Sequence, residues 1–415
     1  MNNFHNEFGG SQRELRRNNR NRIFRALFAS DVPISRSELV RITGLNLPVV
    51  SRVTNEMLLA GLLEEITPPP ALRQRGRRVT LLAIKAEGAY VVTVAITAYS
   101  QELILGNLKG HIIYSREIPE FLTLQSDDLL HFLVENILRA VRRNKIPSVR
   151  LLGGCLAVPR HAMLFSDQAM ILPILNSAFI EKLQTMLGIP MISIRLAEAL
   201  NLAENNWGAS KGFSNVLYLH LALIIGASVL HGGALLPSPD RFGNISSMPI
   251  ATVGHAHGTL ARIEDKASGI SILRSLKVTS PQRPPGYTIQ DRLNLSLAHT
   301  RAMGGDTSLQ KIFMEAGQWM GYALETLYRV YNPEIILFGG SLVENSFYLN
   351  ALQTTWQSTY PQAPPVETRV GCLPTASATI LTALKLHVFS ASLDLDPLLS
   401  GTGEDIFSPV SGELT

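Results

Sequence analysis

The chain has 415 residues, of which 46% are hydrophobic and 17% charged, so it can bury a sizeable core. This composition excludes a disordered or collagen-like chain. The two cysteines, Cys155 and Cys372, are too few for a disulfide framework or a cysteine-rich zinc site, and they are typical of a reducing cytoplasm. The first residues contain no apolar signal-peptide segment, so we expect a cytoplasmic protein.

The net charge of +4 is unevenly distributed along the chain. Residues 1–87 contain 14 basic and 8 acidic side chains, which leaves 23 basic and 25 acidic ones in the remainder. Thirteen of those 14 basic residues are arginines, whose planar fork suits phosphates and guanine edges. A basic head on a near-neutral body indicates nucleic-acid binding by the head, whereas a merely solvated basic face is the alternative.

After a leader predicted to be flexible, residues 1–15, the pattern of residues 16–87 predicts helix, helix, turn, helix and a two-stranded wing. Residues 19–29 have apolar side chains at helical spacing. A capping box at residues 35–38 begins the second helix, which Gly44 ends. Asn46 caps the third helix, Pro48 is tolerated in its first turn, and Gly61 ends it.

Two helices joined by a glycine-containing turn are typical of a helix-turn-helix unit, whose second helix enters the major groove of DNA. The arginine-rich tip of the wing suits an adjacent minor groove. The predicted DNA-binding residues are Ser35, Arg36, Asn46, Leu47, Pro48, Val49, Ser51, Arg52, Asn55, Arg75, Gly76, Arg77 and Arg78. The predicted buried side consists of Leu39, Ile42, Val50, Val53, Met57 and Leu58. A winged-helix module that docks a protein is the alternative.

From residue 88 onward, strands alternate with helices, and the pattern occurs twice, which predicts an α/β body with two lobes around a cleft. Strands are predicted at 89–98, 102–108, 111–115, 150–158, 191–194 and 334–338. Helices are predicted at 127–144, 180–187, 196–207, 259–275, 288–303, 308–330 and 377–389. The expected domains are a first lobe at 88–195 completed by the 377–390 helix, a second lobe and oligomerisation region at 196–376, and an acidic tail at 391–415.

One uncharged apolar run, residues 216–236, is almost long enough to span a membrane. Its β-branched and aromatic residues and its glycines favour buried strands joined by a glycine turn. We therefore predict strands and no membrane partner, with a membrane span as the alternative.

Over about residues 16–390 the chain resembles the ROK family (repressors, open reading frames and sugar kinases), in particular its N-acetylglucosamine and xylose repressor branch. The head segment carries the resemblance, with a wing tip of Gly76-Arg77-Arg78 where the family has Gly-Arg-Pro. In the body it is carried by the segments GIPMISI, NNWGASKGFSNVLYL and YNPEIILFGGS. The resemblance implies a winged helix-turn-helix followed by a two-lobed, actin-like (RNase H-like) body that forms a homodimer or homotetramer.

The same comparison identifies catalytic elements that this chain lacks. The family's first phosphate loop, Asp-x-Gly-x-Thr, corresponds to residues 95–99, AITAY, and its second glycine-rich turn corresponds to residues 222–226, ALIIG. The family's catalytic aspartate corresponds to Leu196, which cannot accept a proton, and Glu198 is expected to face elsewhere. The sugar-holding Glu-x-Gly-His has no counterpart in FGNISSMPIA. We therefore expect no enzymatic activity.

The sequence offers few candidate residues for binding a metal, a cofactor or a small effector. The family's zinc cluster has no cysteines here, and His255 and His257 alone do not close a tetrahedral site, so we predict no metal and no cofactor. The candidate effector-binding residues are Arg160, Asn244 and His255, although a surface salt bridge is the alternative role for Arg160. Gly339-Gly340 is the one retained nucleotide-side feature, and two glycines after a strand also serve a tight turn.

The sequence thus predicts a transcriptional regulator that binds double-stranded operator DNA. By resemblance it is a repressor of genes for carbohydrate uptake or metabolism, localised on the nucleoid. A sugar-like small molecule or a protein partner is expected to control it. The alternatives are a sugar kinase with an added DNA-binding head and a winged-helix protein-docking adaptor.

Overall fold

The structure is a computed structural model. It describes residues 12–30, 32–67, 80–97, 100–122, 124, 126–159, 177–236, 245–250, 261–278, 289–359, 366–390 and 393–400.

The N-terminal head consists of three helices on a small sheet. The helices are α1 (Gln12–Phe28), α2 (Arg36–Thr43) and α3 (Leu47–Leu59). The strands are antiparallel in the order β1-β3-β2, with β1 (Ile34–Ser35), β2 (Leu63–Ile66) and β3 (Leu81–Ile84). Residues 12–15, which were predicted to belong to a flexible leader, form the first turn of α1.

Local capping chemistry fixes the ends of α2 and α3. Ser35 Oγ accepts a hydrogen bond from the Glu38 amide at 3.2 Å, and Asn46 Oδ1 accepts one from the Val49 amide at 3.0 Å. Gly44 ends α2 in the left-handed conformation with φ of 66°, which side chains other than glycine rarely adopt. These three features confirm the predicted helix boundaries.

The core of the head is formed by one face of each helix. Leu39, Val50, Val53 and Met57 are at most 1% exposed, as predicted. Ile42, which was predicted to be buried, is 49% exposed in the last turn of α2, and that prediction was wrong.

The first lobe contains a five-stranded sheet in the order β6-β5-β4-β7-β8. Its strands are β4 (Tyr90–Ile96), β5 (Gln101–Asn107), β6 (Ile112–Glu117), β7 (Leu151–Val158) and β8 (Met191–Arg195). The first three are antiparallel, whereas β7 and β8 continue the sheet in parallel from β4. Helices α4 (Ser126–Arg143) and α5 (Ser177–Leu187) pack against each other beside this sheet.

The second lobe repeats this arrangement with the order β11-β10-β9-β14-β15. Its strands are β9 (Val216–Leu221), β10 (Ile225–His231), β11 (Ala234–Leu235), β14 (Ile335–Gly339) and β15 (Glu367–Val370), beside a small pair, β12 (Pro249–Ile250) and β13 (Ala261–Arg262). Its helices are α7 (Ile263–Ala267), α8 (Gly269–Ser275), α9 (Ile289–Met303), α10 (Thr307–Tyr331) and α11 (Ser346–Thr359). Again, three antiparallel strands are extended by two parallel ones.

The apolar run at 216–236 forms strands rather than a membrane span. Residues 222–224 join β9 to β10 without a glycine, so the predicted glycine turn instead occurs between β10 and β11, at Gly232 and Gly233. Among the described residues, no helix combines the length and hydropathy needed to cross a membrane.

Helix α11 and strand β15 were not predicted from the sequence. The helix predicted at 259–275 is interrupted at Ser268.

Two elements connect the lobes and the head. Helix α6 (Leu196–Trp207) follows β8, and α12 (Thr375–Ala383) packs against both α6 and β4. The helix predicted at 377–389 changes to a π-helical turn at residues 384–388. Directly beyond this turn, Phe389 stacks edge-on against Phe28 of α1, with ring centroids 5.0 Å apart. The head therefore shares a continuous apolar core with the body.

The C-terminal segment 393–400 packs against the head. Leu393, Leu395 and Leu398 are 5–6% exposed, and the short helix α13 (Asp396–Ser400) ends the described part. The guanidinium of Arg20 in α1 donates a hydrogen bond to the carbonyl of Leu393. These eight residues belong to the predicted acidic tail, and their leucines supply the apolar face through which they pack.

Candidate nucleic-acid interface and interlobe cleft

The outward face of α3 carries the predicted DNA-contacting side chains. Pro48, Arg52 and Asn55 are exposed at spacings of four and three residues, which places them on one face of the helix. Leu47 is 52% exposed at the N-terminus of the helix. Val49 and Ser51 are half-buried beside this face. The structure therefore gathers these side chains along one accessible strip.

Arg52 and Arg36, both predicted to contact DNA, are held very differently. Arg52 is exposed, and within the described part of the chain no hydrogen bond or ion pair engages its guanidinium. Arg36 is 23% exposed and donates to Thr54 Oγ1 at 3.1 Å, to Asn55 Oδ1 at 3.0 Å and to Glu65 Oε1 at 3.2 Å. Arg36 thus joins α2 to α3 and to β2.

The wing is described only at its base. Strands β2 and β3 pair with Ile66 opposite Leu81. The predicted wing contacts Arg75, Gly76, Arg77 and Arg78 lie outside the described residues, as do the effector candidates Arg160, Asn244 and His255 and the neighbouring His257.

A cleft of about 460 Å³ lies between the two lobes. Thr97 and Ser100 contribute from the first lobe, whereas Tyr218, His220 and Ser341 contribute from the second. Burial lowers the pKa of His220 to about 4, so its imidazole is neutral near pH 7. The lining also includes the carboxylates of Glu204 and Glu344 and apolar side chains such as Leu200 and Val343, so the cleft is mixed in character.

The residue that the resemblance places at the family's catalytic base is Leu196, whose side chain cannot accept a proton. Leu196 is 2% exposed at the start of α6. Two residues on, Glu198 accepts a hydrogen bond from the backbone amide of Arg195 at 3.3 Å and from its guanidinium at 3.2 Å. Glu198 therefore caps α6, and this role occupies its carboxylate.

The turn at residues 222–225 is filled by its own side chains. Ala222, Leu223, Ile224 and Ile225 are at most 5% exposed. The carboxylate of Glu264 accepts a hydrogen bond from the Ile225 amide at 3.4 Å. Burial raises the pKa of Glu264 to about 8. A phosphate cradle needs free amides and open space, and this turn offers little of either.

The retained glycines at the end of β14 have a packing explanation. A Cβ on Gly339 would collide with the hydroxyl of Tyr218, and a Cβ on Gly340 would collide with the carbonyl of Leu221. Gly340 also has φ of 92°, a conformation that side chains other than glycine rarely adopt. The close approach of β14 to β9 thus requires this pair, which fits the expected tight turn.

Glu204 is a cleft residue that the sequence analysis did not identify. It is 2% exposed, and its carboxylate accepts hydrogen bonds from the amides of Ala209 at 2.7 Å and Leu373 at 2.8 Å. It thereby fastens the end of α6 to the segment that follows β15. No local signal in the sequence distinguishes Glu204 from the other polar residues of α6.

Within the ranges that the structure describes, no group of three or more His, Cys, Asp or Glu side chains is arranged to hold a metal ion. Of the two cysteines, Cys155 is buried, and burial raises the pKa of its thiol to about 12. The Sγ of Cys372 lies 3.5 Å from the Glu204 carboxylate, and desolvation, followed by the negative charge of Glu204, raises the pKa of its thiol. Neither thiol is activated as a nucleophile.

Both repressors and kinases are similar to this chain. The xylose repressor of Bacillus spizizenii is 26% identical over 341 residues, which cover 80% of this chain and 84% of that protein. The DNA-binding transcriptional repressor Mlc of Escherichia coli is 24% identical over 330 residues, covering 75% and 78%.

Solved structures extend the likeness to the fold. A ROK family transcriptional regulator, described as a homolog of the E. coli MLC protein, has a TM-score of 0.67 at 20% identity and covers 95% of this chain and 99% of its own. A ROK hexokinase from Thermus thermophilus has a TM-score of 0.53 at 20% identity and covers 71% of this chain and 97% of its own. The body therefore has the mixed α/β, actin-like architecture of these proteins. Since residues 94–377 also match the ROK family profile, the chain belongs to the ROK family.

Proposed function

We propose that this protein is a sequence-specific DNA-binding transcriptional repressor that acts through an N-terminal winged helix-turn-helix. The observation that carries the proposal is the exposed polar face of α3, which follows α2 across the left-handed Gly44 turn. The names of two relatives, the xylose repressor and the repressor Mlc, support the same function.

In this proposal α3 lies in the major groove. The exposed guanidinium of Arg52 suits the O6 and N7 atoms of a guanine, which accept two parallel hydrogen bonds. Ser35 and Asn46 cap the N-termini of α2 and α3, where backbone amides favour phosphate groups. Arg75, Arg77 and Arg78 of the wing enter the adjacent minor groove.

We infer that the protein binds as a homodimer or homotetramer to symmetric half-sites, because two heads related by a two-fold axis match a palindromic operator. The regulated genes are those of carbohydrate uptake or metabolism, by analogy with the named relatives. The protein works in the cytoplasm, on the nucleoid.

The body has a regulatory rather than a catalytic role in this proposal. Phosphoryl transfer to a sugar needs a base and two phosphate loops, and the described counterparts are Leu196 and the filled turn at 222–225. A sugar-like effector or a protein partner would act by favouring an arrangement of the lobes that separates the two heads. Arg160, Asn244 and His255 are the first candidates for effector contacts.

The test of DNA binding is enrichment of fragments from the source genome on purified protein, at low and at near-physiological salt. We expect a few enriched fragments with inverted half-sites, and an affinity that falls steeply as salt rises. No enrichment at either salt would contradict the proposal and favour the alternative of a protein-docking head.

A separate assay addresses the kinase alternative. The purified protein is mixed with ATP and a panel of hexoses, and sugar phosphate is measured directly. We expect no turnover above the background of a protein-free control. Sustained turnover would contradict the regulatory role of the body.

A further inference from the structure

The outer face of α10 carries a strip of side chains that includes two large, exposed apolar residues. The strip consists of Lys311, Met314, Gln318, Tyr322 and Glu325, and we call it the α10 strip. Steps of three, four, four and three residues place these side chains within about 80° of one another around the helix. Met314 is 42% exposed and Tyr322 is 50% exposed, and both line a groove of about 750 Å³. Exposed apolar side chains between polar ones are typical of a surface that contacts another protein.

Tyr322 is held in place although half of its side chain is exposed. Its ring meets the ring of Trp319 edge-on, with the centroids 6.0 Å apart. Trp319 is half-buried against the core of the second lobe, and the ammonium group of Lys266 lies 5.6 Å from the centroid of its ring. An exposed tyrosine that is already ordered loses little side-chain freedom on binding, which favours a role as an anchor in an interface.

The chemical character of the α10 strip is symmetric about Gln318. Seven residues before and after it stand opposite charges, Lys311 and Glu325, and four residues before and after it stand the apolar Met314 and Tyr322. In an antiparallel pair of such helices, each residue before Gln318 lies level with the residue equally far after Gln318 in the other copy. Lysine then meets glutamate, and apolar meets apolar. The two Gln318 amides meet each other, and each can both donate and accept. The strip is therefore complementary to itself, as a two-fold interface requires.

Both charged ends of the strip can take part in such a pair. Lys311 is exposed, and among the described residues no hydrogen bond or ion pair engages its ammonium group. Glu325 accepts from Arg329 at 3.2 Å and 2.9 Å, and both hydrogen bonds go to Oε1, which leaves Oε2 for a second cation. Lys311 and Glu325 of one chain are 14 residues apart on the same helix, a rise of about 21 Å, so they cannot pair with each other.

We propose that the α10 strip is the contact surface between two copies of this chain, whose α10 helices pack antiparallel about a two-fold axis that passes between the two Gln318 side chains. Lys311 of each copy pairs with the partner's Glu325, and Met314 packs at the level of the partner's Tyr322. The inference rests on the proposed function for its role, because a palindromic operator needs two copies of the head. It names the surface that joins them.

The experiment is sedimentation equilibrium of the full-length protein and of two charge-reversed variants over a series of concentrations. Lys311→Glu and Glu325→Lys each place two pairs of like charges across the proposed interface. We expect the Kd of self-association of each variant to rise about tenfold or more above the wild-type value. Mixed in equal amounts, the two variants should associate about as tightly as the wild type, because every charge in the mixed pair again meets its opposite.

The mixture decides the geometry of the interface. Rescue by mixing requires residue 311 of one copy to lie near residue 325 of the other, and general damage to either variant would not produce it. A mixture that associates no more tightly than its separate components would overturn the inference.

Two further variants complete the test. Tyr322→Ala removes the aromatic anchor from both copies, so we expect its Kd to rise about tenfold or more. Lys182→Glu is the control for charge reversal, because its side chain on α5 in the first lobe is 64% exposed and lies outside the strip. Its Kd should match that of the wild type. Circular dichroism and thermal melting verify that each variant is folded.

The failure of the inference and the failure of the proposed function give different results. If the wild type is monomeric, or if it associates and no folded variant of the strip weakens the association, the inference is wrong, and DNA binding by the head is still open to the enrichment test. If the strip variants dissociate as expected but the wild type enriches no genomic fragment, the interface stands and the proposed function is wrong.

Discussion

The guanidinium of Arg150, just before β7 in the first lobe, donates a 2.6 Å hydrogen bond to the carbonyl of Ala60 at the end of α3. The same nitrogen donates to the Gly88 carbonyl at 2.9 Å. A cation at a helix C-terminus also interacts favourably with the helix dipole. The guanidinium of Arg150 therefore bridges the head and the body and fixes the C-terminal end of the proposed recognition helix.

Arg150→Met should loosen that attachment. Hydrogen bonds that involve a charged group contribute about 1.5–3 kcal/mol, so we expect a loss of stability of that order, measured by urea unfolding. Cleavage by a protease between head and body should become faster. Arg143→Met, which removes a positive charge near the end of α4, is the control. Equal stability of the two variants would contradict a role of Arg150 in holding the head.

The C-terminal segment offers a matched pair of leucines. Leu398 is 5% exposed, whereas the adjacent Leu399 is 45% exposed. We expect Leu398→Ala to destabilise the protein by about 2 kcal/mol, because truncating a buried leucine loses apolar contacts and leaves a cavity. Leu399→Ala should change stability by less than about 0.5 kcal/mol. Thermal melting compares the two, and equal effects would mean that the segment does not pack on the head in solution.

Glu264 should make stability depend on pH. Its pKa is raised from 4.5 to about 8 in the folded state, so the folded protein binds this proton more tightly than the unfolded chain does. The resulting stabilisation is complete below pH 4.5 and is lost as pH rises to about 8. We expect Glu264→Gln to be more stable than the wild type at pH 8 and to have a flatter melting profile between pH 5 and 8.

The control for that experiment is Glu135→Gln, since the Glu135 side chain is 62% exposed and pairs with Arg139 on the surface. Its melting profile should parallel that of the wild type. If the Glu264→Gln profile is also parallel, the carboxyl is ionised in the folded protein and the burial argument is wrong.

Arg52→Ala should reduce operator affinity by about 1–3 kcal/mol and relax the preference at one base pair. The reason is the loss of a bidentate contact with a base edge. Titration of labelled operator measures the affinity, and selection from a randomised operator library measures the preference. Unchanged affinity and preference would remove Arg52 from base recognition.

Joint replacement of Arg75, Arg77 and Arg78 by alanine should weaken binding to all sequences and reduce its dependence on salt. Each phosphate contact that is lost reduces the number of counterions released, so the slope of log affinity against log salt becomes shallower. A wild-type slope in this variant would mean that the wing lies away from DNA.

Much of the head was predictable because its signals are local. The capping residues Ser35 and Asn46 and the turn at Gly44 act within four residues of themselves, so their effect does not depend on distant parts of the chain. The strands of the body were predictable from apolar runs. Helix α11 was missed although its buried residues Tyr348, Leu352 and Trp356 recur every four residues, which is typical of an amphipathic helix.

The residues of the candidate site could be predicted from the sequence, but the contacts between them could not. The spacing of Arg52 and Asn55 places both on one face, but nothing local indicates that Arg36 holds Asn55 or that Glu65 holds Arg36. These residues are 19 and 29 positions apart, and only the packing of α2 against α3 and β2 brings them together. Glu204 was missed for the same reason, since its partner Leu373 lies 169 residues away.

The helix ends of the head and the strands of the 216–236 run could be predicted from the amino-acid sequence, because each depends on side-chain chemistry over a few residues. Three features emerged from the three-dimensional packing: Arg36 donates to Thr54, Asn55 and Glu65, Glu264 is a buried carboxyl beside the Ile225 amide, and residues 393–400 pack against α1. Those outcomes depend on which surfaces meet, and distant segments meet only when the whole chain buries its apolar area together.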